Sequence, residues 1–146
     1  MNYKATAIWQ PDAGEVREMA DYLAKDDRVS TGSGLDADDA AIEGFVACGD
    51  GATLSRMHSF AFANDHAPDD LVDAASELAQ EDLDGDVLIG VHTENGGNNH
   101  VHIGEVGSRS EVWMDKGDIK RVRSSMADSL GEGIGGDGSA STGVVA

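Results

Sequence analysis

Apolar residues in this chain recur at two spacings, and the switches between them mark out its elements. In residues 4–10, Ala5, Ala7 and Trp9 alternate with Thr6 and Ile8, which predicts a strand. Pro11, Asp12 and Gly14 break it. Residues 14–26 carry Val16, Met19, Ala20 and Leu23 at spacings of three and four, the stripe of an amphipathic helix. Residues 30–39 are polar and rich in Gly, Ser and Asp, which reads as a loop. The apolar run from Ile42 to Cys48 predicts a second strand, closed by a Gly-Asp-Gly turn. Residues 57–63 alternate again and predict a third.

Pro68, followed by Asp69 and Asp70, predicts a helix start, with Leu71, Ala75, Leu78 and Ala79 on its buried side. Residues 87–92 and 100–106 read as two strands of a hairpin, joined by a loop rich in Asn and Gly. A short segment at 111–114 precedes a last helix over 115–130, with Ile119, Val122, Met126 and Leu130 inward and Gly131 as its stop. The expected fold class is α+β: a five-stranded, mainly antiparallel sheet with helices on one face. The expected boundaries are a domain over 1–130 and a Gly/Ser-rich flexible tail over 131–146.

Composition narrows the function. The 146 residues include 28 acidic and 10 basic side chains, for a formal net charge of −18. Hydrophobic residues make up 40%, too many for a disordered acidic tail. The acid is spread along the whole chain, which points to a halophilic surface more than to a charge-specific binder. In molar salt the Debye length falls to about 3 Å, so net charge there does not exclude contact with nucleic acid. No run approaches the roughly 18 apolar residues that cross a bilayer, no leader is recognisable, and the single Cys48 suits a reducing compartment. A cytoplasmic protein without membrane association is expected.

The chemistry concentrates in histidine. Three of the five lie in the predicted hairpin, at positions 92, 100 and 102. Alternation sends His100 and His102 to one face, and a simple antiparallel register brings His92 opposite one of them. Three imidazoles converging in this way make a divalent metal site with open positions. Gly90 and Gly104 share that face and are expected to leave a ligand's approach open. Glu94 and Asn95 are placed to orient an imidazole. Of the two tyrosines, Tyr22 sits on the flank of the first helix, as a packing residue or a nucleophile. A phenol needs a nearby metal or base to attack a phosphate at neutral pH. Ser59, Ser124 and Cys48 show no partner arrangement, and His58 and His66 read as structural.

The stretch VHTENGGNNHVHI resembles the third motif of MobA/MobL-type mobilisation relaxases, within the HUH endonuclease superfamily named for its His-hydrophobic-His pair. His100-Val101-His102 takes the place of the pair, His92 that of the upstream histidine, and Glu94 that of the acidic residue two positions later. EMADYLAKDD resembles the family's tyrosine helix, with Tyr22 at the catalytic position, and the likeness runs over residues 3–130. It implies a metal-dependent endonuclease that nicks and rejoins single-stranded DNA through a 5′-phosphotyrosyl intermediate, in plasmid mobilisation or rolling-circle replication. It also implies Tyr22 and Glu94 as catalytic residues, and His92, His100 and His102 as ligands of a divalent ion, Mn or Mg first with Zn open. The partners would be single-stranded or hairpin DNA and accessory proteins of a plasmid or virus. Lys116, Lys120, Arg121 and Arg123 form the basic island expected to contact phosphates, with Arg56 and Arg109 as further cations. A silent DNA- or protein-binding module of the same fold is the alternative.

Overall fold

The computed structural model describes residues 1–93 and 99–134. Its elements in chain order are β1 (Asn2–Trp9), α1 (Ala13–Ala24), β2 (Arg28–Thr31), α2 (Asp39–Gly49), β3 (Leu54–Ala61), α3 (Pro68–Asp82), β4 (Asp86–His92), β5 (His100–Gly107), α4 (Arg109–Val112) and α5 (Lys116–Leu130). The five strands form one sheet in the order β1-β3-β5-β4-β2, and every pairing is antiparallel. The expected α+β class with a five-stranded antiparallel sheet is what the chain adopts.

The helices do not share one face. On the back of the sheet, α3 and α5 cover Tyr3, Phe60, Ile89, Val91, Val101 and Ile103 in the larger core. On the front, Val16, Ala20 and Leu23 of α1 and Phe45 of α2 cover Leu88 and Val106 in a smaller one. The strands explain this. Leu88 and Val106 are apolar on the face opposite Ile89 and Ile103, so both sides of β4 and β5 need cover at that end of the sheet.

The segment from Ile42 to Cys48 is helical, not a strand. Asp38 caps it, accepting from the Ala41 amide at 2.8 Å. Ile42, Phe45, Val46 and Gly49 lie at helical spacing, and Phe45 is buried against α1. The second strand lies earlier, in Arg28–Thr31, whose last two residues fall within the loop expected over 30–39. Pro68 and Gly131 act as the sequence implies, and two aspartates add caps. Asp12 with Glu15 and Asp115 with Asp118 form capping boxes, Pro68 opens α3, and Gly131 ends α5 at φ 66°.

The ordered body passes residue 130. Glu132 is buried and accepts from the amides of Ala63 and Asn64 and from His66 Nε2, at 3.0, 3.1 and 2.6 Å. Glu132 thus packs onto the domain although it falls within the expected tail over 131–146; positions 135–146 of that tail lie outside the described residues. Burial works to raise the Glu132 carboxyl's pKa, but His66 and the two amides outweigh it and bring it down to about 2.

Two predictions follow from these elements. Gly44 is exposed on α2, with open space where a Cβ would lie. Gly44→Ala should raise stability by about 0.5–1 kcal/mol in chemical denaturation, as a helix interior requires; a loss of stability would contradict a helix here. Because the folded-state pKa of Glu132 is depressed, its contribution is full above the unfolded carboxyl's pKa, about 4.3, and is lost as pH falls toward 2. Melting temperature in high KCl should therefore drop more steeply between pH 4.5 and 2 for wild type than for Glu132→Gln, and equal slopes would remove Glu132 from that role.

Candidate functional site

Alternation along β4 and β5 puts His92, His100 and His102 on the front face, at the end of the sheet away from the Leu88–Val106 core. His92 pairs with His100 across the strands, and His102 pairs with Gly90. Ring centroids are 6.2 Å apart for His92–His100 and for His100–His102, with planes 27° and 10° from parallel. The three rings stand side by side and do not converge on one point as the spacing suggested. Among the described residues, no group of three His, Cys, Asp or Glu side chains is already arranged to hold a metal ion. The donor chemistry fits a divalent ion, but a shared ion with N distances near 2.1 Å needs the rings to turn toward each other.

Tyr22 joins this row from α1. Its ring meets His102 edge-on, centroids 5.2 Å apart at 73°, and the residue remains 52% exposed. Tyr3 is the contrasting case. It is buried on the back face, its hydroxyl 2.8 Å from His58 Nδ1, and burial pushes its phenol up, with Arg56 opposing and Glu105 adding. His58 in turn bonds Glu105 at 3.0 Å, also fully buried. So Tyr3 and His58 are core residues, and Tyr22 is the phenol open to solvent.

Two carboxylates that the sequence reading passed over complete the site. Asp26 Oδ2 lies 3.4 Å from His102 Nδ1, and Asp27 Oδ2 lies 3.5 Å from His92 Nδ1. Both follow α1 in the turn to β2, and Asp26 is one helical turn past Tyr22. The signal was the Asp-Asp pair in YLAKDD, one turn beyond the tyrosine. Glu94 and Asn95, expected to orient an imidazole, lie outside the described residues.

The glycines serve a different purpose from the one expected. A Cβ on Gly104 would come within 2.7 Å of Met19 Sδ and 2.8 Å of Leu23 Cδ1. A Cβ on Gly90 would come within 2.2 Å of Asp26 Oδ2. The space they leave is filled by α1 and its following turn, not held open for a ligand.

Open space lies on the other side of the histidines. Hydrogen-bonded rows run Lys4–Ser59–His102–Gly90 and Asn2–Ala61–His100–His92 across β1, β3, β5 and β4. Over the β1–β3 half, a cleft of about 490 Å³ is lined by Asn2, Lys4, Ser59, Ala61, His100 and His102. With strands about 4.8 Å apart, Lys4 stands about 10 Å from His102. Lys4 is the cation that lines this cleft.

The basic island is elsewhere. Lys116, Lys120, Arg121 and Arg123 lie on α5, which packs on the back face with the sheet between it and the histidines. Arg121 pairs with Asp118 and Asp82 at 3.1 and 3.3 Å. Arg123 Nε and Nη1 are buried. Arg56 is buried as well, its Nε donating to the Val112 carbonyl at 3.3 Å, and Arg109 sits over the Trp113 ring at 5.9 Å. None of these cations lines the cleft beside the histidines. Helical spacing in 116–123 fixed which residues share a face of α5, but not which side of the sheet α5 would cover.

None of the described helices is long and apolar enough to cross a membrane. In comparisons with protein-family models, curated proteins and solved structures, nothing matches this chain.

Proposed function

We propose that this chain is a metal-dependent endonuclease and strand transferase acting on single-stranded DNA, with Tyr22 as nucleophile. The observation that carries the reading is the contact of an exposed phenol with the His92–His100–His102 row, beside an open cleft. The order of the residues, with the tyrosine helix upstream of the histidines, agrees with the resemblance to relaxases.

In this reading a strand lies over the β1–β3 half of the sheet with one phosphate beside His102. Lys4 binds a neighbouring phosphate, and Ser59 and Asn2 offer hydrogen bonds to the backbone. Tyr22 Oη attacks phosphorus in line with the departing 3′ oxygen. The Oη–P bond forms as the phenol gives up its proton, the P–O3′ bond breaks, and the 3′ oxygen takes up a proton, so that none is gained or lost overall. The product is a 5′-phosphotyrosyl link and a 3′-hydroxyl, and attack by a 3′-hydroxyl reverses the step. A divalent ion on His92, His100 and His102 would supply Lewis-acid polarisation of the phosphate. The α1 backbone sets where Oη stands, and the strand pairing sets where the imidazoles stand.

The side-by-side rings favour one second reading, a silent binding module that kept the fold. Covalent-adduct formation separates the two. With circular single-stranded DNA and Mn²⁺ in high KCl, wild type should give a protein band shifted on a denaturing gel. Tyr22→Phe should reduce it by on the order of 10³-fold or more while melting at the same temperature. No adduct from wild type across several metals and DNAs would favour the silent module. Lys4→Ala should weaken binding of single-stranded DNA several-fold, whereas Lys116→Ala with Lys120→Ala should leave it unchanged; the opposite pattern would place the strand on the back face.

A further inference from the structure

Each of two histidines in the row has a carboxylate at the same ring nitrogen. His102 Nδ1 faces Asp26 and His92 Nδ1 faces Asp27, at 3.4 and 3.5 Å. Both carboxylates come from one turn, and both are tied in place. The Asp26 amide donates to the Leu23 carbonyl at 3.1 Å, closing the end of α1. The Asp27 carboxylate accepts from the Thr93 amide at 2.9 Å, at the end of β4. The Asp26 side chain is only 12% exposed, and the sheet beneath it is cut away at Gly90, the residue paired with His102. Any larger residue at 90 would drive the carboxylate off.

We propose that Asp26 and Asp27 are positioning residues that fix His102 and His92 in the Nδ1–H tautomer. Each Nδ1–H donates to its aspartate. On His102, Nε2 then keeps its lone pair as the donor atom of the site. The tautomer of a neutral imidazole is set by the hydrogen bond at its other nitrogen, and without such a partner the Nε2–H form is favoured. A carboxylate behind a ligand histidine also raises its basicity and restrains the ring.

The same turn couples the clamp to the nucleophile. Asp26 is four residues from Tyr22, and both touch His102. The bond that orients the imidazole therefore also fixes the end of α1 that carries the phenol. The inference rests on the reading of Tyr22 and the histidines as a nicking site, but its test does not.

Long-range ¹H–¹⁵N correlation spectra of the metal-free full chain, in high KCl and above the pH at which imidazole titrates, report each tautomer directly. In wild type, His92 and His102 should both show the Nδ1–H pattern. Asp26→Ala should return His102 alone to Nε2–H, and Asp27→Ala should return His92 alone. Gly90→Ala should copy Asp26→Ala at His102. An Nε2–H pattern for His102 and His92 in wild type overturns the proposal without any variant, as does a pattern that the Asp→Ala changes leave unmoved. If the tautomers behave as expected and wild type forms no DNA adduct, the clamp stands and the nicking reading falls.

Discussion

The close approach of α1 to the sheet is the constraint on which the site depends. Met19 and Leu23 occupy the space above Gly104, and Asp26 occupies the space above Gly90. With a side chain at either position, the helix would have to lift or slide. Tyr22 projects from the same helix, so its distance from His102 is a consequence of this packing. Val16, Ala20 and Leu23 hold the helix down through burial against Leu88 and Val106, and at about 25 cal/mol per Å² of apolar area this is the main force available to do so. The apolar contacts and the polar ones therefore act on one body. The former set the height of α1 above the sheet, and the latter set the angle of the imidazoles beneath its C-terminal end.

The back face supplies the rigidity that the front face uses. Tyr3, His58 and Glu105 form a buried chain of hydrogen bonds across β1, β3 and β5, extended to the Gly85 amide by Glu105 at 3.0 Å. A one-residue slip of any of these strands would strand at least one buried polar group, which costs more than the bond itself contributes. The register that results is the one that aligns Lys4, Ser59 and His102 in one row on the front. The polar chain in the core and the polar row in the cleft are thus two faces of the same strand pairing. The −18 charge sits mostly outside both, and at molar ionic strength its field reaches only about 3 Å.

Much of this arrangement was legible in the sequence. The alternation in residues 87–92 and 100–106 is strong enough to fix which side chains share a face, and the three histidines follow from it. Pro68 and Gly131 mark helix ends because their chemistry is local. The segment 39–49 was not legible as a helix, because a short run of Ile, Phe and Val satisfies a buried strand and a buried helix stripe alike. The five-strand count survived only because Arg28–Thr31, polar and four residues long, took the vacant place. Its strand character comes from pairing with β4, which no local pattern reveals. Which face α5 covers is likewise a tertiary fact. So is the approach of Asp26 and Asp27 to the histidines, since they are 76 and 65 residues from their partners in the chain. Only Gly90, a small residue between large ones on β4, hinted that something closes on the sheet there.

In the proposed reaction, α1 delivers the Tyr22 hydroxyl to a phosphate held beside His102. Mass spectrometry of the protein after reaction with single-stranded DNA and exhaustive nuclease digestion tests it most directly, because it names the atom that made the bond. The expected result is a residual nucleotide mass on the peptide containing Tyr22, and on no other. The same mass on a serine or on Tyr3, or no added mass where strand cleavage has occurred, would contradict it.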